Sequence, residues 1–333
     1  MPNRNITLAE IAQTAGVSPA TVSRVLNGDQ RVAQERIEKV NQAVRALGYS
    51  PNRAARALAT GKTGLIATVI DSNLVVFSDP FWGVITTAIS RRLQQSGLQA
   101  VLMATPFIDN EDTILASLST QQVDGAIFLQ LHNDELVLEL ANQGLPTVVV
   151  GRPDNESALK YVDTDNRGGA YLATNYLIHR GAKRIATITG DLTLSAGKLR
   201  LQGFLDAMNE NGLPIDPTYV VNGNFTHQSG IDAMKQLLAQ APDVDAVFVA
   251  NDMMCLGAIG YLDSQSISVP DQIALVGFDD MFAALMGRQQ LTTIHQDIDL
   301  MGATVAGLVA ELVDGKDAES IILPTHLVIR DTA

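Results

Sequence analysis

Hydrogen-bonding and aromatic side chains follow several apolar, strand-like segments of this chain. An Asn-Asp pair comes directly after the apolar run 246–250, and an Asp-Asp pair comes shortly after the run 273–276. Such groups bond hydroxyls directionally, and an aromatic face can cover the apolar side of a ring, which indicates recognition of a polyhydroxylated small molecule. The residues of this kind are Phe81, Trp82, Arg152, Asp165, Asn166, Arg200, Phe225, Asn251, Asp252, Asp279 and Asp280. Each of them, taken alone, is also explained as a helix cap or a surface residue.

Motifs for bond-breaking chemistry are absent from the sequence. No H-E-x-x-H, paired C-x-x-C or G-x-S-x-G occurs. The stretch from Gly190 to Leu199 has too long a gap between its glycines for a phosphate-binding loop, and Leu199 replaces the metal-binding hydroxyl. The sequence therefore predicts neither an enzyme nor a bound cofactor or metal. The five histidines also lack metal-ligand spacing: His132, His179, His227, His295 and His326.

The elements that must position the polar residues alternate between strands and helices from about Thr63 onward. This alternation is typical of doubly wound parallel sheets. The sequence V-D-G-A-I-F at 123–128 is weakly repeated as V-D-A-V-F at 244–248, which favours two similar α/β halves with a ligand crevice between them. The predicted strands are 65–70, 100–103, 126–131, 147–150, 184–189, 246–250 and 273–276.

The first residues of the chain predict two short helices joined by a tight turn. Thr7 and Glu10 have the spacing of a capping box, and an apolar face with helical periodicity follows them. Gly16 permits a sharp turn, after which Ser18 can cap a second helix that has Pro19 at its first position. Small polar residues on the outer face of that helix suit entry into a DNA groove.

A third helix is predicted over about 33–47, and a short helical segment at 50–62 has few residues that could pack against a core. Residues 1–62 carry nine Lys and Arg against four Asp and Glu, a net charge of +5, whereas the whole chain carries -13. The basic head supplies attraction to phosphates, and the acidic body repels DNA.

The segment T-L-x-x-I-A-x-x-A-G-V-S-x-x-T-V-S-R-V-L-N at 7–27 resembles the head of the lactose-repressor (LacI/GalR) family of bacterial transcription factors. The similarity continues through L-G-Y-S-P-N-R-A-A-R-A-L at 47–58 and resumes at V-A-N-D (249–252), V-G-F-D-D (276–280) and L-T-T-I (291–294). The resemblance implies an all-α helix-turn-helix head and a periplasmic-binding-protein-like body of two doubly wound parallel-sheet subdomains.

This resemblance implies a DNA-binding head at 1–49, a hinge helix at 50–62 and an effector-binding and dimerisation body at 63–333. The chain would cross between the subdomains near Asp163, Leu291 and Leu323. The N-subdomain would then comprise about 63–163 and 292–323, and the C-subdomain about 164–291 and 324–333.

The resemblance also implies functional residues. Leu58 would be the wedge that enters the minor groove at the operator centre, whereas without the resemblance it is explained as an ordinary apolar residue at a domain junction. Arg200, Asn251 and Asp279 match the family's commonest effector-contacting positions, and Phe81, Arg152, Asp165 and Phe225 are further candidates. The DNA-contacting candidates are Thr7, Ser18, Pro19, Ala20, Thr21, Ser23, Arg24, Asn27, Asn52, Ala55 and Leu58.

The resulting prediction is a cytoplasmic, homodimeric repressor of carbohydrate-utilisation genes that binds a palindromic double-stranded operator under the control of a sugar or glycoside. One cysteine and the absence of an apolar signal or membrane-spanning run support a reducing compartment. The alternatives are a non-enzymatic solute-binding clamp and a global carbon-control regulator with a protein or a nucleoside or purine corepressor. The sequence departs from the family at Ala33, where a capping Ser is usual, so the third helix is expected to begin with a frayed turn.

Overall fold

The computed structural model describes residues 6–26, 31–49, 61–71, 79–105, 114, 118, 123–129, 134–153, 159–285 and 287–333. The chain divides into two compact units, Met1–Thr63 and Gly64–Ala333.

The first unit contains three helices, α1 (Leu8–Ala15), α2 (Pro19–Leu26) and α3 (Gln34–Leu47). The predicted capping box is present, since the Thr7 and Glu10 side chains each bond the other residue's amide. The left-handed backbone at Gly16, with φ 63°, ends α1 and makes the turn into α2. Ala33 precedes α3 without a side-chain cap, and α3 begins at Gln34. Buried residues from all three helices form one core: Ile11, Ala12, Ala15, Val22, Val40 and Ala43.

The second unit contains two six-stranded sheets, and the first of them defines the N-subdomain. Its strand order is β11-β5-β4-β3-β1-β2, and every neighbouring pair is parallel. The strands are β1 (Leu65–Asp71), β2 (Gln99–Thr105), β3 (Gly125–Phe128), β4 (Thr147–Val150), β5 (Lys160–Thr164) and β11 (Ile321–Leu323). The helices that belong to this half are α4 (Pro80–Gln95), α5 (Glu135–Asn142) and α10 (Ile298–Val313).

The second sheet has the order β12-β10-β9-β8-β6-β7 and defines the C-subdomain. Its neighbours are parallel except for β10 and β12, which are antiparallel. The strands are β6 (Ile185–Thr189), β7 (Val220–Asn222), β8 (Ala246–Val249), β9 (Ala274–Asp279), β10 (Thr293–Gln296) and β12 (Thr325–Val328). The helices are α6 (Asn166–His179), α7 (Ser195–Glu210), α8 (His227–Gln240) and α9 (Asp252–Ser264).

The second crossing between subdomains lies later in the chain than the sequence predicted. Thr293–Gln296 pair with β9 and β12, so β10 belongs to the C-subdomain sheet and the chain crosses after Gln296 rather than near Leu291. The next helix, α10, packs its apolar face into the N-subdomain core. Gly302 permits this contact, because a Cβ at this position would lie 2.7 Å from both the Ala88 side chain and the Ile85 carbonyl oxygen.

No helix among the described residues is both long and apolar enough to span a membrane.

Candidate functional site

The outer surface of α2 presents small side chains at its first turn. Ser18, Pro19 and Ala20 are exposed, and Arg24 is exposed one turn later. The Ser18 hydroxyl accepts a hydrogen bond from the Thr21 amide at 3.2 Å and lies 2.9 Å from the Thr21 hydroxyl, which fixes the start of the helix. A rigid helix N-terminus with short side chains can approach base edges closely.

The other residues predicted to contact DNA differ in their exposure and in their hydrogen bonds. The Thr7 hydroxyl donates to Glu10 at 3.1 Å, so it already holds the capping box together. Ser23 is half-buried on α2. Asn27, Asn52, Ala55 and Leu58 lie outside the described residues.

A cleft between the two subdomains forms the second candidate site. Its volume is about 200 Å³, which is room for more than a dozen waters at roughly 10–15 Å³ each and hence for a small sugar. Polar groups and aromatic rings converge on it from both subdomains. The lining includes Asp79, Phe81, Trp82, Arg152, Asp163, Asn166, Asp191, Arg200, Phe225, His227, Asn251, Asp279 and Gln296.

Arg200 of α7 is the buried cation of the cleft, with 5% of its surface exposed. Its Nε donates to Asn166 Oδ1 at 2.8 Å, and its Nη1 donates to the Ala250 carbonyl and to Asp279 Oδ1, the latter at 3.3 Å. The guanidinium carbon lies 3.6 Å from the centroid of the Phe278 ring. Burial lowers the pKa of Arg200, and the charges of Asp279 and Asp163 oppose that shift. These contacts hold the side chain in one geometry.

Asp279 ends β9 with a left-handed backbone, φ 115°, which is unusual for a residue other than glycine. Its Oδ1 accepts from Gln296 Nε2 at 2.6 Å as well as from Arg200. Burial raises the pKa of Asp279 to about 7, and Asp79 across the cleft adds to this, while Arg200 and Gln296 oppose it.

Asn251 combines a structural role with its place in the cleft. Its Oδ1 caps α9 by accepting from the Met254 amide at 2.9 Å, and its Nδ2 donates to the Phe225 carbonyl at 3.0 Å. The next residue, Asp252, is fully buried and accepts from the Thr293 hydroxyl and the Met281 amide. Asp252 therefore ties α9 to β10 and to the loop after β9.

The crossing from β5 into α6 contributes Asp163 and Asn166 to the cleft. Asn166 Nδ2 donates to Asp163 Oδ1 at 3.0 Å, while Asn166 Oδ1 receives the Arg200 bond. Asp165 is the exception among the predicted effector residues, because its exposed carboxylate accepts from the Gly168 amide and caps α6 outside the cleft lining. Asp163, which is buried near the end of β5, lines the cleft, whereas Asp165 does not.

Aromatic rings reach the cleft from both sides. The carboxylate of Asp79 caps α4 by accepting from the Phe81 amide, which places Phe81 and Trp82 at the start of that helix. Their rings meet edge to face, with centroids 4.9 Å apart. From the C-subdomain, Phe225 adopts φ 67° and lays its ring against Gly190, where a Cβ would lie only 2.0 Å from the ring.

The structure thus brings together six of the seven predicted effector residues: Phe81, Arg152, Arg200, Phe225, Asn251 and Asp279. From the sequence, Asp79, Asp163 and Gln296 were not named as candidates, and Asn166 was named among the polar residues after strands but not among the effector-contacting residues. Asp79 lies two residues before Phe81, and Asn166 directly follows Asp165, so closeness in the sequence to a predicted effector residue could have identified both. Gln296 is the last residue of β10, a four-residue strand that was not predicted from the sequence. Among the described residues, no group of three or more His, Cys, Asp or Glu side chains could hold a metal ion.

Comparison with known proteins identifies both units. Residues 7–52 match the family described as bacterial regulatory proteins, lacI family, and residues 174–333 match a periplasmic binding protein-like domain. The HTH-type transcriptional regulator CelR of Thermobifida fusca is 39% identical over 99% of this chain and 98% of its own length. This chain belongs to the LacI family.

Solved structures of LacI-family members agree with the architecture. A complex of the regulator CelR with cellobiose is 38% identical, with a TM-score of 0.77 over 98% of this chain and 100% of that chain. The lac repressor dimer bound to operator and an anti-inducer is 30% identical, with a TM-score of 0.83 over 99% of both chains. The predicted fold and the predicted DNA-binding transcriptional repressor are confirmed.

Proposed function

We propose that this LacI-family repressor responds to a neutral disaccharide built from glucose, with cellobiose as the first candidate. The regulator represses carbohydrate-utilisation genes, acting in the cytoplasm as a homodimer on a palindromic double-stranded operator. In this proposal the ligand acts as an effector, and the protein uses no catalytic group and no cofactor. The similarity to CelR, whose structure is a cellobiose complex, supports the choice of sugar.

The observation that carries the proposal is the arrangement of the cleft. Phe81 and Trp82 come from the N-subdomain and Phe225 from the C-subdomain, so rings lie on both sides of one cavity. A pyranose has apolar C–H faces and a rim of hydroxyls, which suits rings beside the fixed polar groups of Asn251 and Asp279. The Arg200 bonds hold Asn166 and Asp279 in place before any ligand arrives.

The charges of the cleft favour a neutral ligand. Asp79, Asp163 and Asp279 line it together with Asp191, against the two cations Arg152 and Arg200. Arg200 already donates to Asp279 and to two other acceptors. A phosphorylated sugar or a nucleotide would add negative charge beside these carboxyl groups, which already outnumber the cations of the lining.

The chain's single tryptophan, Trp82, lies in the cleft and serves as the reporter for a test. Fluorescence excited at 295 nm is followed while cellobiose, maltose, lactose, ribose, glucose 6-phosphate and hypoxanthine are added separately to the full chain. We expect a saturable change with cellobiose. Saturation by glucose 6-phosphate or hypoxanthine alone would contradict the assignment, because either ligand requires a differently charged or shaped site.

A further inference from the structure

Two consecutive residues where the chain leaves β9 have a left-handed backbone. Asp279 has φ 115° and Asp280 has φ 56°, angles that are uncommon for residues with a side chain. Such a conformation is unfavourable and persists only where the surrounding structure enforces it. Asp279 lines the cleft, whereas Asp280 lies outside its lining. The bonds that hold this exit segment of β9 (279–281) therefore control where the Asp279 carboxyl group lies.

Each residue of the exit segment is held by a side chain from another part of the C-subdomain. Asp279 Oδ1 accepts from Gln296 and from Arg200. The Met281 amide donates to the buried Asp252 Oδ2 at 2.9 Å. The first and last residues of the segment are thus fixed by groups of the cleft and of the neighbouring core, and the middle residue is fixed separately.

Asp280, the middle residue, is held by an arginine that lies 50 positions further along the chain. Arg330 Nη2 donates to Asp280 Oδ1 at 2.6 Å, and Arg330 Nη1 donates to the Leu291 carbonyl at 2.8 Å. His295 Nδ1 lies 3.0 Å from the other carboxylate oxygen. The side chains of Arg330 and Asp280 are 15% and 14% exposed, so water screens their attraction only in part. One planar guanidinium therefore fixes Asp280 and the chain that leads into β10 together.

The segment that carries Arg330 is fixed by bonds of its own. The Arg330 amide donates to the Thr292 hydroxyl at 2.9 Å. The fully buried Thr332 hydroxyl donates to the Leu275 carbonyl of β9 at 2.9 Å and accepts from the Thr292 amide at 2.9 Å. Because these bonds tie the segment to β9 itself, Arg330 holds Asp280 from a fixed base.

We propose that Arg330 is a positioning residue of the effector site, which acts through Asp280 to keep the Asp279 carboxyl group in the sugar-binding cleft. This inference rests on the proposed function, because it takes the sugar to bond Asp279. Arg330 and Asp280 lie outside the cleft lining, so their role is indirect. Without the Arg330 bond, Asp280 loses an interaction that offsets its unfavourable backbone, and the exit segment can relax and move Asp279.

Arg330→Met tests the assignment, because methionine keeps a long unbranched side chain and removes the charge and both bonds. The dissociation constant of cellobiose, measured by Trp82 fluorescence on the folded protein, should rise about 2- to 30-fold. Arg330→Lys should lie between the wild type and Arg330→Met, since one ammonium group cannot reproduce the planar fork. Arg184→Met is the control, because Arg184 also pairs with aspartates of the C-subdomain but lies outside the cleft lining. It should bind cellobiose like the wild type, and unchanged affinity in Arg330→Met would overturn the proposal.

The route through Asp280 has its own test. Asp280→Gly removes the carboxylate, while glycine adopts the left-handed backbone without strain. If Asp280 served only to tolerate that backbone, Asp280→Gly would bind cellobiose as tightly as the wild type. We expect it instead to lose as much affinity as Arg330→Met, and we expect the double variant to lose little more than either single variant. Wild-type affinity in Asp280→Gly, or additive losses in the double variant, would exclude this route.

Amide hydrogen exchange without ligand separates this inference from the identity of the sugar. The Met281 amide reports on the exit segment, because its bond to Asp252 must open before it exchanges. In Arg330→Met its exchange should quicken by about the same factor as the loss of affinity, while the amides within β9 keep their wild-type rates. Unchanged exchange at Met281, or equal acceleration throughout β9, would overturn the positioning role. Failure of cellobiose to bind the wild type, with the selective change at Met281 intact, would refute only the sugar assignment.

Discussion

Gly190→Ala should weaken sugar binding through the neighbouring Phe225 ring. A Cβ at position 190 would lie 2.0, 2.3 and 2.7 Å from three atoms of that ring. Ordinary van der Waals contacts begin at 3.4 Å and the nearest ring atom lies at 2.0 Å, so that atom must move by about 1.4 Å. Phe225 is half-buried at the cleft wall and can move. The backbone of Gly190 does not have a positive φ, so alanine itself adds no strain there.

A displaced ring loses its contact with the bound sugar. Aromatic contacts of this kind contribute about 0.5–1.5 kcal/mol, and each 1.4 kcal/mol corresponds to about tenfold in affinity. The dissociation constant measured by Trp82 fluorescence should therefore rise about 2- to 12-fold. Gly260→Ala is the matched control, because Gly260 is an exposed helical glycine with open space around its Cβ position. Its sugar affinity should equal that of the wild type.

A double-mutant cycle tests whether the effect passes through Phe225. Phe225→Ala should weaken binding by a similar factor, and adding Gly190→Ala to it should cause little further loss, because the displaced ring is already absent. Additive losses in the double variant, or unchanged affinity in Gly190→Ala, would refute the reasoning.

Three further predictions concern stability and DNA binding. Arg200→Ala should lower the free energy of unfolding by about 3–5 kcal/mol, because it leaves the buried Asp279 without its cation. It should also abolish the sugar response, while operator binding persists at low temperature. A urea midpoint equal to that of the wild type would contradict the stability prediction. Ala33→Ser supplies the missing cap of α3 and should stabilise the head by about 0.5–2 kcal/mol, seen as slower amide exchange in the first turn of that helix; unchanged exchange would count against it. Leu58→Ala should weaken operator binding and leave the Trp82 sugar titration unchanged; full operator affinity would exclude the wedge role.

The helical head was predictable because its signals are local. Thr7, Glu10, Gly16 and Ser18 act within one turn of their own positions, so sequence spacing alone indicates the caps and the turn. The structure also places Ala33 at the N-cap of α3 without a side-chain cap, as the sequence predicted, whereas fraying of the first turn stays a prediction.

The cleft was predictable only in part, because it depends on which strand ends meet. Asp163 and Asp165 are two residues apart, and their roles differ because Asp163 is buried at the end of β5 whereas Asp165 is exposed and caps α6. Gln296 was missed because β10 is a short strand whose pairing with β9 and β12 is not local. The contact between Phe225 and Gly190 joins residues 35 positions apart through an unusual backbone angle, and no periodicity in the sequence encodes it.

The central claim is that a sugar in the cleft controls operator binding by the head. The most direct test is fluorescence anisotropy of a labelled palindromic promoter fragment taken from beside this gene. The full chain is titrated into the fragment at fixed low salt, once with cellobiose and once without it. We predict tight binding that cellobiose shifts at concentrations matching the Trp82 titration, and no such shift in Arg200→Ala. Tight binding that stays the same while cellobiose saturates the cleft would contradict it.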